Sequence, residues 1–199
     1  MNEKIAQYNE MREQWINCQR CKYHIGRKLV VLGAGDLDAK IVMIGQWPGK
    51  DEDRLGIPVQ GEGGKWVKAA LDEAGIPWEA VFFDNILGCK PDGNPRKEQK
   101  RICRERLDTT IDIVKPRLII LAGAEASKEI YGKNIAGSKL AGTSWIDGER
   151  TYFSTTHPVE PVHMKSPDAR RASWNRIALE YKTLGDLARS MCILPRLEE

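Results

Sequence analysis

Three short segments carry groups that could act on a bound organic ring. Residues 45–49 read Gly-Gln-Trp-Pro-Gly, Asn85 lies near the end of an apolar run, and His157 follows the segment Thr-Tyr-Phe-Ser-Thr-Thr and precedes Pro158. A Gly/Pro turn leaves backbone amides free, an asparagine side chain offers a donor and an acceptor together, and an imidazole exchanges roles near neutral pH. Taken singly, each has an ordinary explanation: a tight turn, a helix cap, a buried structural histidine. Just beyond the turn stand three carboxylates, Asp51, Glu52 and Asp53. Cysteines occur at 18, 21, 89, 103 and 192. The N-terminus lacks the apolar stretch of a secretion signal, so metal binding or burial comes before disulfide formation.

The elements between these segments explain how they could meet. Residues 40–46 (KIVMIGQ) and 117–123 (RLIILAG) are short apolar runs of the kind found in buried parallel strands, and 80–86 (AVFFDNI) and 151–156 (TYFSTT) read as two further strands. Helical patterns alternate with them over 3–16, 64–74, 96–114, 124–131 and 167–187. Strands alternating with helices predict an α/β fold: a three-layer α/β/α sandwich around a central four-stranded parallel sheet, in one domain spanning 1–199. Ligands of such sheets bind beyond the carboxyl ends of the strands. That rule sends Gln46, Asn85 and His157 to one edge. Residues 47–64, rich in Gly, Pro and charge, predict a long functional loop.

Composition sets outer bounds. The chain has 199 residues, 41% hydrophobic and 30% charged, enough to bury a core without disulfides. No apolar run is long enough to cross a membrane. The expected locale is the cytoplasm, or the nucleoid when bound to DNA, and the expected state is a monomer. A net charge of +3 is too mild to identify a nucleic-acid partner. Basic residues do gather over 95–106 and around Arg170, Arg171 and Arg176, which equally fits solvated helix faces.

In order and spacing, the motifs resemble those of the family 4 uracil-DNA glycosylases, within the uracil-DNA glycosylase superfamily. The segment GQWPGKDEDRLGIPVQGEGG is similar to that family's GEAPG…ED…G.PFVG.AG. DNILGCKP is similar to its TNIVKCRP, and HPVEPV to its HPAALL. The likeness runs from Cys18 to about Leu184. It implies a monofunctional glycosylase that flips a base out of DNA, hydrolyses its N-glycosidic bond and leaves an abasic site. It also implies a [4Fe–4S] cluster on Cys18, Cys21, Cys89 and Cys103, spaced C-x2-C, then 67 residues, then C-x13-C. Thiolates serve zinc as well as iron–sulfur clusters, and plain buried thiols are a third option. Cys192 matches no ligand position.

By the same resemblance, His157 and backbone amides of the Gln46–Trp47 turn receive the charge that builds on the departing base, and Asn85 reads the base edge. Trp47 stands where single-domain relatives carry a water-activating aspartate. Glu52 is the expected substitute for positioning water or stabilising the sugar cation, with Asp53 second. The chain departs from the family at Val59 (for Phe), Gln60 (for Val) and Gln46 (for Glu), with Trp47 a further base-facing candidate. The expected substrate is uracil or another non-standard pyrimidine in DNA. The departures open two alternatives: a bulky modified cytosine of phage DNA, or a DNA-binding relative without activity. DNA contacts are expected from Val162 or Met164 as an apolar wedge, and from Lys165, Arg170 and Arg171 on phosphates, with single- or double-stranded DNA as partner.

Overall fold

The computed structural model describes residues 3–132 and 137–195. Strands β1 (Ile41–Gly45), β2 (Val81–Asn85) and β3 (Leu118–Ala122) coincide with the predicted apolar runs to within a residue or two at each end. They continue into β4 (Thr143–Asp147) and β5 (Arg150–Thr155), in the order β2-β1-β3-β5-β4. The first four in that order are parallel, and Gly45 lies opposite Asn85 in the register. The sheet therefore has five strands, not the predicted four. The extra one, β4, runs antiparallel to β5 at the edge. Its residues are mostly exposed, so it lacks the apolar pattern that betrays a buried strand. The two-residue turn Gly148–Glu149, with glycine at its first position and φ +59°, was its one legible mark.

Alternate strand residues face opposite layers. Val42, Ile44, Phe82, Ile119 and Leu121 pack with Tyr8, Met11 and Trp15 of α1 (Glu3–Trp15) and Leu107, Ile111 and Val114 of α4 (Lys97–Val114). Ile41, Met43, Phe83, Leu118 and Ile120 pack with Val67 and Leu71 of α3 (Gly61–Ala74) and Ile177, Tyr181 and Leu184 of α6 (Pro167–Ser190). Each fully buried aliphatic side chain contributes about 1.5–3 kcal/mol. The sandwich thus fixes the strand ends firmly.

Two shorter helices complete the frame. Helix α5 (Ala124–Tyr131) follows β3 directly, and α2 (Lys50–Leu55) lies within the predicted loop. The sequence of α2, KDEDRL, has no apolar face, which hid it among loop residues. Helix α6 starts with Ser166, whose side chain accepts from the Ala169 N–H at 3.1 Å, and Pro167 in the first turn. Among the described residues no helix is long and apolar enough to cross a membrane.

Candidate active site

The carboxyl ends of β2, β1, β3 and β5 form a continuous row, and a cleft of about 1220 Å³ lies above it. Strand order reverses at β1, between β2 and β3, so the cleft opens at a topological switch point. Asn85, Gln46, Gly123 and His157 all line it. Asn85 and His157 stand three strand spacings apart, roughly 14 Å between backbones at about 4.8 Å per step. That gap suits a planar ring held between inward-reaching side chains.

Asn85 is buried, yet its side-chain amide makes no hydrogen bond to another described residue. It lies against Gly45, where a Cβ would sit 2.4 Å from Asn85 Oδ1. Only glycine leaves room for the amide at that register position. The backbone behind it is braced. The fully buried Arg106 sets Nη1 at 2.7 Å from both Asp84 oxygens, and its Nη2 donates to the Asn85 carbonyl. Burial works to discharge this guanidinium; the charge and hydrogen bonds of Asp84, joined by Cys103 and Tyr8, together more than offset that and raise its pKa above the ordinary arginine value. Asp84 Oδ1 also accepts the Asn85 N–H at 2.7 Å.

Gly123 plays the matching part on the other side. With φ +93° it adopts a backbone that side chains disfavour, and a Cβ there would lie 2.9 Å from Gln46 Nε2 and 3.0 Å from His157 Cβ. Its absence lets Gln46 and His157 approach one another. His157 Nδ1 accepts the Val159 N–H at 3.3 Å, which leaves the ring proton on Nε2. Burial, helped by the nearby His163, lowers the His157 pKa to about 4, against a smaller opposing pull from Glu160. The imidazole is a neutral donor at pH 7.

The three carboxylates separate. Glu52 accepts from the Val59 N–H at 2.7 Å and, with its other oxygen, from the Gly49 N–H. It clasps the turn to the loop that follows α2. Asp53 is buried and accepts the Lys28 N–H at 2.9 Å, and it does not line the cleft, contrary to its expected second place as the acid. Asp51, which sequence reasoning passed over, does line the cleft and is about half exposed. Val59 adopts φ +59°, a conformation costly for a β-branched residue, while its N–H is held by Glu52. Gln60 folds back, its amide donating to the Pro58 carbonyl at 3.1 Å. Trp47 lines the cleft but packs on the α1/α4 core.

Toward the rim, Val162 is exposed and lines the cleft, whereas Met164 is half-buried and lies off it. Lys165, Arg170 and Arg171 are exposed just beyond. Sequence reasoning missed Glu180, which lies on α6 and lines the cleft. Its carboxylate accepts the Thr156 N–H at 2.6 Å and the Thr156 hydroxyl at 2.8 Å. No local pattern could have revealed a partner so distant in the chain.

Cys89 and Cys103 belong to the α1/α4 core, and Cys18 and Cys21 pack against it. Burial and the proximity of Cys103 and Cys18 raise the Cys21 pKa. Burial pushes Cys89 up to about 11; Arg27, whose Nη1 lies 3.5 Å from its Sγ, pulls the other way, and Cys103 and Cys21 add to the rise. The four thiols therefore share one neighbourhood. They are not drawn together tightly: among the described residues no three ligating side chains form a group that would grip a single ion.

Comparison with known proteins agrees with this geometry. Residues 32–178 match the model of the uracil DNA glycosylase superfamily. The type-4 uracil-DNA glycosylase of Thermotoga maritima is 35% identical over 159 residues, covering 77% of this chain and 82% of the relative. That of Sulfurisphaera tokodaii is 30% identical over 190 residues, covering 90% and 84%. With most of the chain matched, and with the strand-end residues facing one cleft, this protein belongs to the uracil DNA glycosylase superfamily.

Proposed function

We propose that this protein is a monofunctional DNA glycosylase that hydrolyses the N-glycosidic bond of uracil in DNA. The observation that carries the reading is a free Asn85 amide and a neutral His157 on opposite flanks of one cleft. A base must leave the stack to reach it, at a cost of a few kcal/mol. The Asn85 amide can then pair with the base edge through one donor and one acceptor. As the bond from sugar C1′ to base N1 breaks, its electron pair passes to the base. His157 Nε2–H donates to the base oxygen that gains charge, joined by amides of the Gln46–Trp47 turn. One such donor is typically worth about 10²–10³ in rate. Water adds to C1′ and loses a proton, leaving an abasic sugar.

Glu52 serves this reaction as a positioning residue, because both its oxygens already hold backbone amides. Of the three carboxylates after the turn, Asp51 lines the cleft and holds no backbone amide, its side chain meeting only Arg54 at 3.5 Å among the described residues, and it is the one assigned to face the sugar and water. The modified-cytosine and inactive-binder alternatives are not favoured: the matched relatives carry the name of the uracil enzyme. DNA carrying a single uracil tests the reading. Release of free uracil with alkali-labile abasic sites is expected, and strongly reduced release from His157→Ala. Intact DNA after prolonged incubation with the unaltered protein overturns it.

A [4Fe–4S] cluster fits the donor set. Four thiols around one core region repel one another as thiolates, and a cationic cluster relieves that repulsion. A single zinc ion binds sulfur at about 2.3 Å and draws four thiolates close, whereas a four-iron cluster holds them farther apart. The choice of the cluster over zinc follows from the resemblance carried by the four cysteine positions. Cys18, Cys21, Cys89 and Cys103 would hold it, and it would supply a structural tie between the segment after α1, the loop after β2, and α4. Iron and acid-labile sulfide analysis of Cys103→Ala against the unaltered protein checks this, with loss of both expected in the variant.

A further inference from the structure

A second, smaller hollow of about 490 Å³ opens beside the cleft and shares Gln46, Trp47 and Asn94 with it. The two spaces thus meet around Trp47. Arg96 and Lys97 at the start of α4, Lys100 one turn on, and Lys128 of α5 line the smaller one, against a single carboxylate, Glu125. Lys100 is buried and paired with Glu125. Arg96, Lys97 and Lys128 are exposed, and none forms an ion pair with a described carboxylate.

This arrangement works against the helix that carries it. Cations at a helix start oppose the helix dipole, and α4 places Arg96 at its N-cap and Lys97 in its first turn, where the one acid, Glu98, lies outside the hollow's lining. An anion in the hollow would reverse that conflict, answering both the side-chain charge and the dipole. Lys165, Arg170 and Arg171, exposed in the chain shortly after the cleft-lining Val162 and His163, are already expected on phosphates.

We propose that Arg96, Lys97 and Lys128 form a shelf that holds backbone phosphates of the DNA strand as it leaves the base-binding cleft past Trp47. The strand is then gripped on both sides of the extruded nucleotide. The shelf contributes affinity without sequence preference, since it meets only phosphates. Lys100 and Glu125 form its floor, and their mutual neutralisation leaves the outer cations as its charge. This inference rests on DNA being the substrate.

Removing two phosphate contacts lowers the slope of log affinity against log salt by about 1.4 on single strands. The test is fluorescence anisotropy of a labelled uracil-containing strand, titrated with Lys97→Gln/Lys128→Gln at several salt concentrations. Both sites are exposed, so folding should be unaffected. Roughly tenfold weaker binding at low salt and the shallower slope are expected. Lys115→Gln, at the opposite end of α4, should match the unaltered protein. Unchanged affinity and slope in the double variant overturn the shelf, as does an equal loss in Lys115→Gln. Uracil release from the same strand is followed in parallel: binding that depends on the shelf without any base release by the unaltered protein would sink the glycosylase reading and spare the shelf.

Discussion

The Glu180 carboxylate accepts both the backbone N–H and the hydroxyl of Thr156, the residue that immediately precedes His157. A side chain on α6 thereby fixes the exit of β5 at the point where the imidazole begins. Glu180→Ala strands the Thr156 N–H and should cost about 1–3 kcal/mol of stability. Base release should fall by about 10–10², because small misplacements of a donor are expensive. Thr156→Ala, which keeps the N–H bond, should lose less. Denaturant melts combined with single-turnover base release measure both.

The lowered His157 pKa makes a prediction about pH. An imidazole in the unfolded chain titrates near about 6.5, whereas His157 in the fold titrates at about 4. Between those values the unfolded state binds the additional proton. This group's contribution to stability is complete above pH 6.5 and is lost as pH falls toward 4. His157→Gln should flatten that part of the profile in chemical denaturation run across mildly acidic pH. Base release should hold steady from neutral pH down to the region where the neutral donor disappears.

Glu52 joins Gly49 to Val59 through two backbone amides. Glu52→Ala leaves both donors without their acceptor and frees Val59 from its left-handed backbone. About 1–3 kcal/mol of stability should go, chiefly for the part-buried Val59 N–H, since the exposed Gly49 N–H can turn to water. Glu52→Gln keeps one acceptor oxygen and should recover part of it. Melting curves, read beside the KM for a uracil-containing strand, separate the loop's stability from its role in binding.

Asp84 and Arg106 form a pair buried from solvent. Asp84→Asn removes the negative partner and leaves a guanidinium charged in the core. A loss of about 3–5 kcal/mol is expected. Thermal unfolding should show this as a large drop in Tm, accompanied by weaker base release as Asn85 loosens.

The sequence made the four parallel strands legible because β1 and β3 are near-continuous apolar runs and the other two fall in regular alternation with helical patterns, and the fold rule then sent Gln46, Asn85 and His157 to one edge. What escaped reading depended on partners. Strand β4 is exposed and has no apolar alternation. Asp53 looked interchangeable with Glu52 until the Lys28 N–H claimed it. Glu180 has no motif around it, and its role exists only once α6 lies against the end of β5. Asp51 gave no local sign separating it from its two acidic neighbours. Residue type and spacing identified the groups that face the cleft; the groups that hold them still are defined by contacts across the chain.

Strand β4 has an effect beyond its size. Without it β5 would be the sheet's margin, and the peptide leading to His157 would be laddered along one side only. With it, the outermost row of unsatisfied amides is displaced by a full strand from the chemistry. Fraying, insertion or sequence drift at the border can then be absorbed by a segment that touches nothing catalytic. The hairpin acts as a sacrificial hem, sparing the histidine the disorder that sheet borders suffer.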